Sequence, residues 1–219
     1  MNYKKIINNE IRFITQLLVK KSISISQNWP SERDGKIVWA GYKGLAFSLQ
    51  NEPYEYIYEK CKDEKDYNFM LLDGSLIQLQ YEFNHRNSVI GHVLNFLPNP
   101  SYEKYQDNPE EFEILYYGNE LFTSILEKRT IVFPIRFDYS QTHNNVIHPK
   151  IHATFGNYKD CRIPISKPIG PKMFLSFVLR NFYNFKFIET NIEKSLASEL
   201  TFTVNITQEE QKLLHFTYI

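Results

Sequence analysis

Gln78, Gln80 and Glu82, then Arg136 and Asp138, then His148, Lys150, His152 and Thr154 occupy alternate positions of three strand-like runs. The runs are Ser75–Phe83, Ile131–Tyr139 and His148–Phe155, and their odd-numbered positions are mainly apolar. Strand side chains alternate between faces with a period of two. The pattern therefore predicts one face that packs a core and another that gathers acids, bases and imidazoles. Such a set suits general acid/base chemistry at a phosphodiester. His152 would exchange the proton, Glu82 or Asp138 would orient it, and Arg136 or Arg162 would stabilise a phosphorane-like charge. RNA is the easiest substrate for this set without a metal, because its 2'-hydroxyl supplies the nucleophile. The expected catalytic group is thus Glu82, Arg136, Asp138 and His152, with Lys150, Arg162 and Arg180 as nucleic-acid contacts. The same charges also suit a structural network in which Arg136 and Arg162 pair with Glu82 and Asp138 to tie neighbouring strands.

Other chemistry is less well supplied. Four residues of straight strand between His148 and His152 span about 13 Å, too far for both rings to bind one ion at about 2.1 Å each. A shared site requires a bend at Pro149 and a third ligand from Glu82 or Asp138, and no metal or other cofactor is called for. Cys161 is followed by Arg162 but has no resolving cysteine or nearby Cys-His motif, which favours a buried structural thiol. Gly41-Tyr42-Lys43-Gly44 lacks the Lys-Ser/Thr ending of a phosphate-binding loop. Tyr54, Tyr56 and Tyr58 alternate with acids and read as packing residues.

The elements that position these groups follow from periodicity. Asn2–Lys21 reads as an amphipathic helix with Ile6, Ile7, Phe13, Ile14, Leu17 and Leu18 near one side. Ile37–Ala40 and Leu45–Leu49 read as short strands, Tyr54–Lys60 as a weak helical turn, and Lys62–Asp66 as a solvated charged loop. Asp73-Gly74 supplies a turn before the first long strand, and Gly91–Leu97 a second strand. Asn108-Pro109 opens a helix, Leu121–Glu127 continues in helical style, and Pro171 starts a helix with two apolar stripes on which Arg180 is the polar exception. Leu200–Ile206 reads as a last strand, followed by a helix with the capping-box pair Thr207 and Glu210. The sum is an α+β chain, a single domain over residues 1–219. Its central sheet is mostly antiparallel, with five or more strands and helices packed on the apolar face.

Bulk properties narrow the setting. The 25 basic and 25 acidic residues among 219 cancel, so nucleic-acid binding has to use a local patch. Two cysteines, no leader-like segment and no apolar run of roughly 20 residues point to a soluble cytoplasmic protein without a membrane partner.

Several ordered motifs carry a family resemblance: Asp73-Gly74-Ser75-Leu76-Ile77-Gln78, Phe96-Leu97-Pro98-Asn99-Pro100, Pro134-Ile135-Arg136-Phe137-Asp138, His148-Pro149-Lys150-Ile151-His152, Cys161-Arg162-Ile163-Pro164 and Phe177–Tyr183. From about Trp39 to Tyr183 the chain resembles the bacterial domain-of-unknown-function family 2290. The resemblance implies the smaller partner of a helicase in two-gene antiphage defence systems, with no established reaction. Two expectations follow. One is an accessory module that binds the helicase or grips DNA or RNA, docking through an apolar patch such as Leu213, Leu214 and Phe216. The alternative is a nuclease effector built on the polar sheet face.

Overall fold

The computed structural model describes residues 2–45, 51–100, 133–143, 146–158, 160–198 and 200–218. The expected strand at Leu45–Leu49 and the helical stretches after Asn108 and at Leu121–Glu127 lie almost wholly outside them. Helix α1 (Tyr3–Lys20) is opened by the Asn2 side chain, whose Oδ1 accepts from Lys5 N at 3.1 Å. Ile7, Ile11, Ile14 and Leu18, spaced by three and four, form its buried stripe. Phe13 departs from expectation. It is 40% exposed, with the Lys172 ammonium 4.8 Å from its ring centre.

Strands β1 (Ser24–Gln27), β2 (Pro30–Arg33), β3 (Lys36–Trp39) and β4 (Phe69–Leu71) are short. The longer β5 (Leu76–Phe83), β6 (Val89–Leu97), β7 (Ile135–Ser140) and β8 (Ile151–Phe155) run as antiparallel neighbours, and β9 (Ile163–Pro164) closes that edge. All pairings between named strands are antiparallel among the described residues. Strand β5 has two partners along one edge: β4 meets it near Leu76, and β3 meets it near Glu82. The result is a mostly antiparallel sheet with several helices, an α+β fold.

Alternation places Ile77, Leu79, Tyr81, Leu94, Phe96, Phe137, Ile151 and Ala153 on one face. That face packs into one core with α1 and with α3 (Pro171–Phe182). Pro171 stands at the first position of α3, where its missing amide hydrogen costs nothing. Helix α2 (Tyr54–Asp63) lies against the other face, where Ile57, Tyr58 and Cys61 cluster with Leu76 and Leu97. The short α4 (Asn184–Glu189) follows α3.

Three local expectations are corrected. Asp66 is not in a solvated loop but fully buried, its carboxylate accepting from Trp39 Nε1 (3.1 Å), Lys43 N (2.6 Å) and Leu45 N (2.8 Å). Leu200–Ile206 forms no strand. Its only sheet-like feature is that the amides of Asn205 and Ile206 both donate to Ser166 O. Thr207 and Glu210 do make the reciprocal capping contacts, but they open only a 3-10 turn, Glu210–Lys212.

Candidate functional site

Register decides which polar residues meet. Gln78 pairs with Asn95, Asn95 with Arg136 and Arg136 with Thr154, forming one row across four strands. Arg162 directly precedes Ile163, the partner of Ala153, so it stands beside Thr154 at the end of that row. A second row holds Gln80, Val93, Asp138, His152 and Pro164. A third holds Lys36, Glu82, Gly91 and Ser140.

Arg136, Asp138 and His152 meet. Arg136 Nε donates to Asp138 Oδ2 at 2.6 Å, and His152 Nε2 lies 3.4 Å from the same oxygen. His152 Nδ1 faces Pro149 O at 3.1 Å. Both ring nitrogens therefore face acceptors. The imidazolium donates to both, whereas a neutral ring reaches only one. Burial pushes the Asp138 carboxyl up, but the His152 hydrogen bond and the Arg136 charge outweigh it and hold the group below its ordinary value.

Glu82 does not join them. It pairs with Lys36 at 3.6 Å and lines a separate cavity of about 510 Å³ with Tyr42 and Gln80. Arg162 pairs with Asp160 at 3.3 Å, so neither Glu82 nor Asp138 is its partner. Arg180 is exposed on α3, the helix of the apolar face, and is remote from the polar rows. Lys150 is half-buried just ahead of β8, its carbonyl accepting from Ser140 N.

The strand expected at His148 begins only at Ile151, because the chain bends through residues 146–148 and at Lys150, on either side of Pro149. There the imidazoles cluster, one pair tilted and one edge to face. The ring centres of His143 and His148 are 3.8 Å apart, and those of His148 and His152 are 5.1 Å apart. Burial, followed by His143 and Arg162, pushes the His148 imidazole down to about 4. Among the described residues no group of three or more His, Cys, Asp or Glu side chains has a geometry that could hold a metal ion.

Asn95, Arg136, Thr154 and Arg162 of the first row form the floor of a cleft of about 550 Å³, which Tyr54 and Tyr158 also line. Its described lining contains two guanidinium groups and no carboxylate or imidazole. Arg136 donates to Asp138 through Nε and also lines the cleft. Tyr54 donates its hydroxyl to Pro98 O, and burial raises this phenol well above its ordinary value, so it remains a neutral donor. Tyr158 is 77% exposed, a flat apolar ring at the rim.

Sequence reasoning missed Asn95, Tyr158 and the role of Tyr54. Asn95 carries a readable signal: it is a carboxamide at strand spacing from Val93 and Leu97, in register with Gln78. Tyr158 follows the strand in a loop, where period-two reading has no purchase.

The fold and cleft define an α+β protein whose charged groove is built on the polar face of an antiparallel sheet. The model of domain-of-unknown-function family 2290 (DUF2290), described as an uncharacterized conserved protein, matches residues 18–218, and the chain belongs to this family. No curated protein and no solved structure matches it. No helix among the described residues is long and apolar enough to cross a membrane.

Proposed function

We propose that this chain is a nucleic-acid-engaging accessory component of a helicase-associated antiphage defence system in the bacterial cytoplasm. The family resemblance supplies the helicase and defence setting. The observation that carries nucleic-acid engagement is the cleft, where Arg136 and Arg162 are the charged groups of the described lining and tyrosines stand at its sides. Guanidinium groups bind phosphate oxygens in a bidentate fork, and tyrosine faces accept stacked bases. His152 is 1% exposed and outside the cleft lining, which favours a gripping role for the site over a cutting one.

Fluorescence anisotropy with labelled single-stranded RNA, single-stranded DNA and duplex DNA tests this reading. The double substitution Arg136→Gln, Arg162→Gln is expected to weaken binding at least tenfold and to flatten its salt dependence. Unchanged binding in that variant overturns the assignment. The alternative nuclease reading draws on the contact chain Arg136–Asp138–His152. It requires cleavage by the purified chain, alone or with the helicase, that His152→Ala abolishes.

A further inference from the structure

Two polar side chains on the cleft floor are more than nine-tenths buried and have an atom without a partner. Asn95 is 3% exposed and Thr154 is 8% exposed, and neither Asn95 Oδ1 nor Thr154 Oγ1 makes a hydrogen bond. Unpaired buried polar atoms are costly, and where they line an opening they mark a place for a ligand.

The chemistry of the Asn95 position is fixed from behind. Gln78 Nε2 donates to Asp66 O, a carbonyl that can only accept. Gln78 therefore turns Oε1 towards Asn95, and Asn95 must meet it with Nδ2, at 2.7 Å. What remains is Asn95 Oδ1, an acceptor. Its residue is the register partner of Arg136, on strands whose backbones run about 5 Å apart. The cleft thus seeks an anion and, immediately beside it, a hydrogen-bond donor.

A nucleic-acid backbone carries such a donor along its length only in RNA, where each ribose 2'-hydroxyl stands next to its 3'-phosphate. DNA lacks it. We infer that the cleft is a ribose-phosphate subsite that selects RNA over DNA. Arg136 and Arg162 hold the phosphate, Asn95 Oδ1 accepts from the 2'-hydroxyl, and Tyr158 receives the base. Thr154 Oγ1, on the other side of Arg136, donates to a phosphate or sugar oxygen. This inference rests on the nucleic-acid reading above and names the sugar that the same cleft takes.

The test is anisotropy on the full chain with single-stranded oligonucleotides of one sequence in three forms: RNA, DNA and 2'-O-methyl RNA. Adenosine and deoxyadenosine monophosphates are titrated directly by calorimetry. RNA is expected to bind about tenfold more tightly than the other two strands, the loss that an unmet buried acceptor produces. Asn95→Ala is expected to bring the three affinities together. Because that substitution also removes the contact to Gln78, its thermal unfolding is measured alongside, and the 2'-O-methyl strand probes the same contact on the unaltered protein. A ribose-dependent response to the monophosphates with no strand binding would support the subsite and identify a free ribonucleotide as its source. Equal affinity for RNA and DNA overturns the sugar selection while nucleic-acid engagement stands. Failure of every probe to bind overturns both.

Discussion

The hydroxyl of Tyr183 donates a 2.6 Å hydrogen bond to Oδ2 of Asp73, 110 residues earlier in the chain. The same carboxylate accepts from Ser75 N and Ser75 Oγ, while Asn99 Nδ2 donates to Asp73 O. The turn between β4 and β5, the end of β6 and the end of α3 are joined at this point. Tyr183→Phe removes one bond to a charged acceptor and is expected to cost about 1–2 kcal/mol, read as a lower midpoint in urea unfolding. Nucleic-acid binding should be unchanged, since the pair lies outside the cleft lining.

Acid stability should depend on His92. Its Nε2 accepts from Ile169 N at 3.1 Å, it lies between Tyr81 and Tyr139, and burial pushes its imidazole down to about 4, against the opposing pull of Asp138. Between the ordinary value of 6.5 and about 4, the unfolded chain takes up a proton that the folded chain refuses. Stability therefore falls as pH is lowered through that window, by on the order of 3 kcal/mol if this group acted alone. His92→Gln keeps an acceptor for Ile169 and should flatten the slope in unfolding curves taken from pH 7 to pH 4. Asp138, held below its ordinary value, adds a further loss as pH falls through its lowered pKa.

Glu82 separates two views of the polar face. Its partnership with Lys36 is half exposed and spans 3.6 Å, so Glu82→Gln should change stability by no more than about 1 kcal/mol. Affinity for RNA should stay within twofold of the unaltered chain. A large loss of binding or of defence activity in this variant would place function at the second cavity instead.

Gly156 supports the rim of the cleft. Its φ is +70°, and an added Cβ would stand 3.2 Å from the Tyr158 ring. Gly156→Ala is expected to lose about 1 kcal/mol of stability, as a side chain in the left-handed region does. By displacing Tyr158 it should also weaken binding several-fold, which anisotropy and thermal unfolding measure in parallel.

Alternation was enough to place Arg136, Asp138 and His152 on one face, because period two is a property of the single strand. It could not separate Glu82 from them. Glu82 shares their face but pairs one row away from Asp138 and His152 and two from Arg136, and register is a relation between strands that no single run contains. Asp66 was unreadable for a similar reason. It sits in a run of charges, and what makes its burial tolerable comes from Trp39, Lys43 and Leu45, more than twenty residues earlier. Leu200–Ile206 has strand-like composition but pairs with no strand among the described residues, and composition alone does not supply one.

Helix α1 is synthesised long before the residues that cover it. Its stripe packs in one core with Phe174, Leu175 and Leu179, Tyr3 donates to Thr201 O, and Ser198 donates to Glu10 at 2.6 Å. While the ribosome is still building the sheet, Ile7, Ile11, Ile14 and Leu18 lack the cover that Phe174, Leu175 and Leu179 later give them. The last of these contacts can form only after translation has passed Thr201. A nascent chain stalled short of that point would offer chaperones a greasy, helical handle.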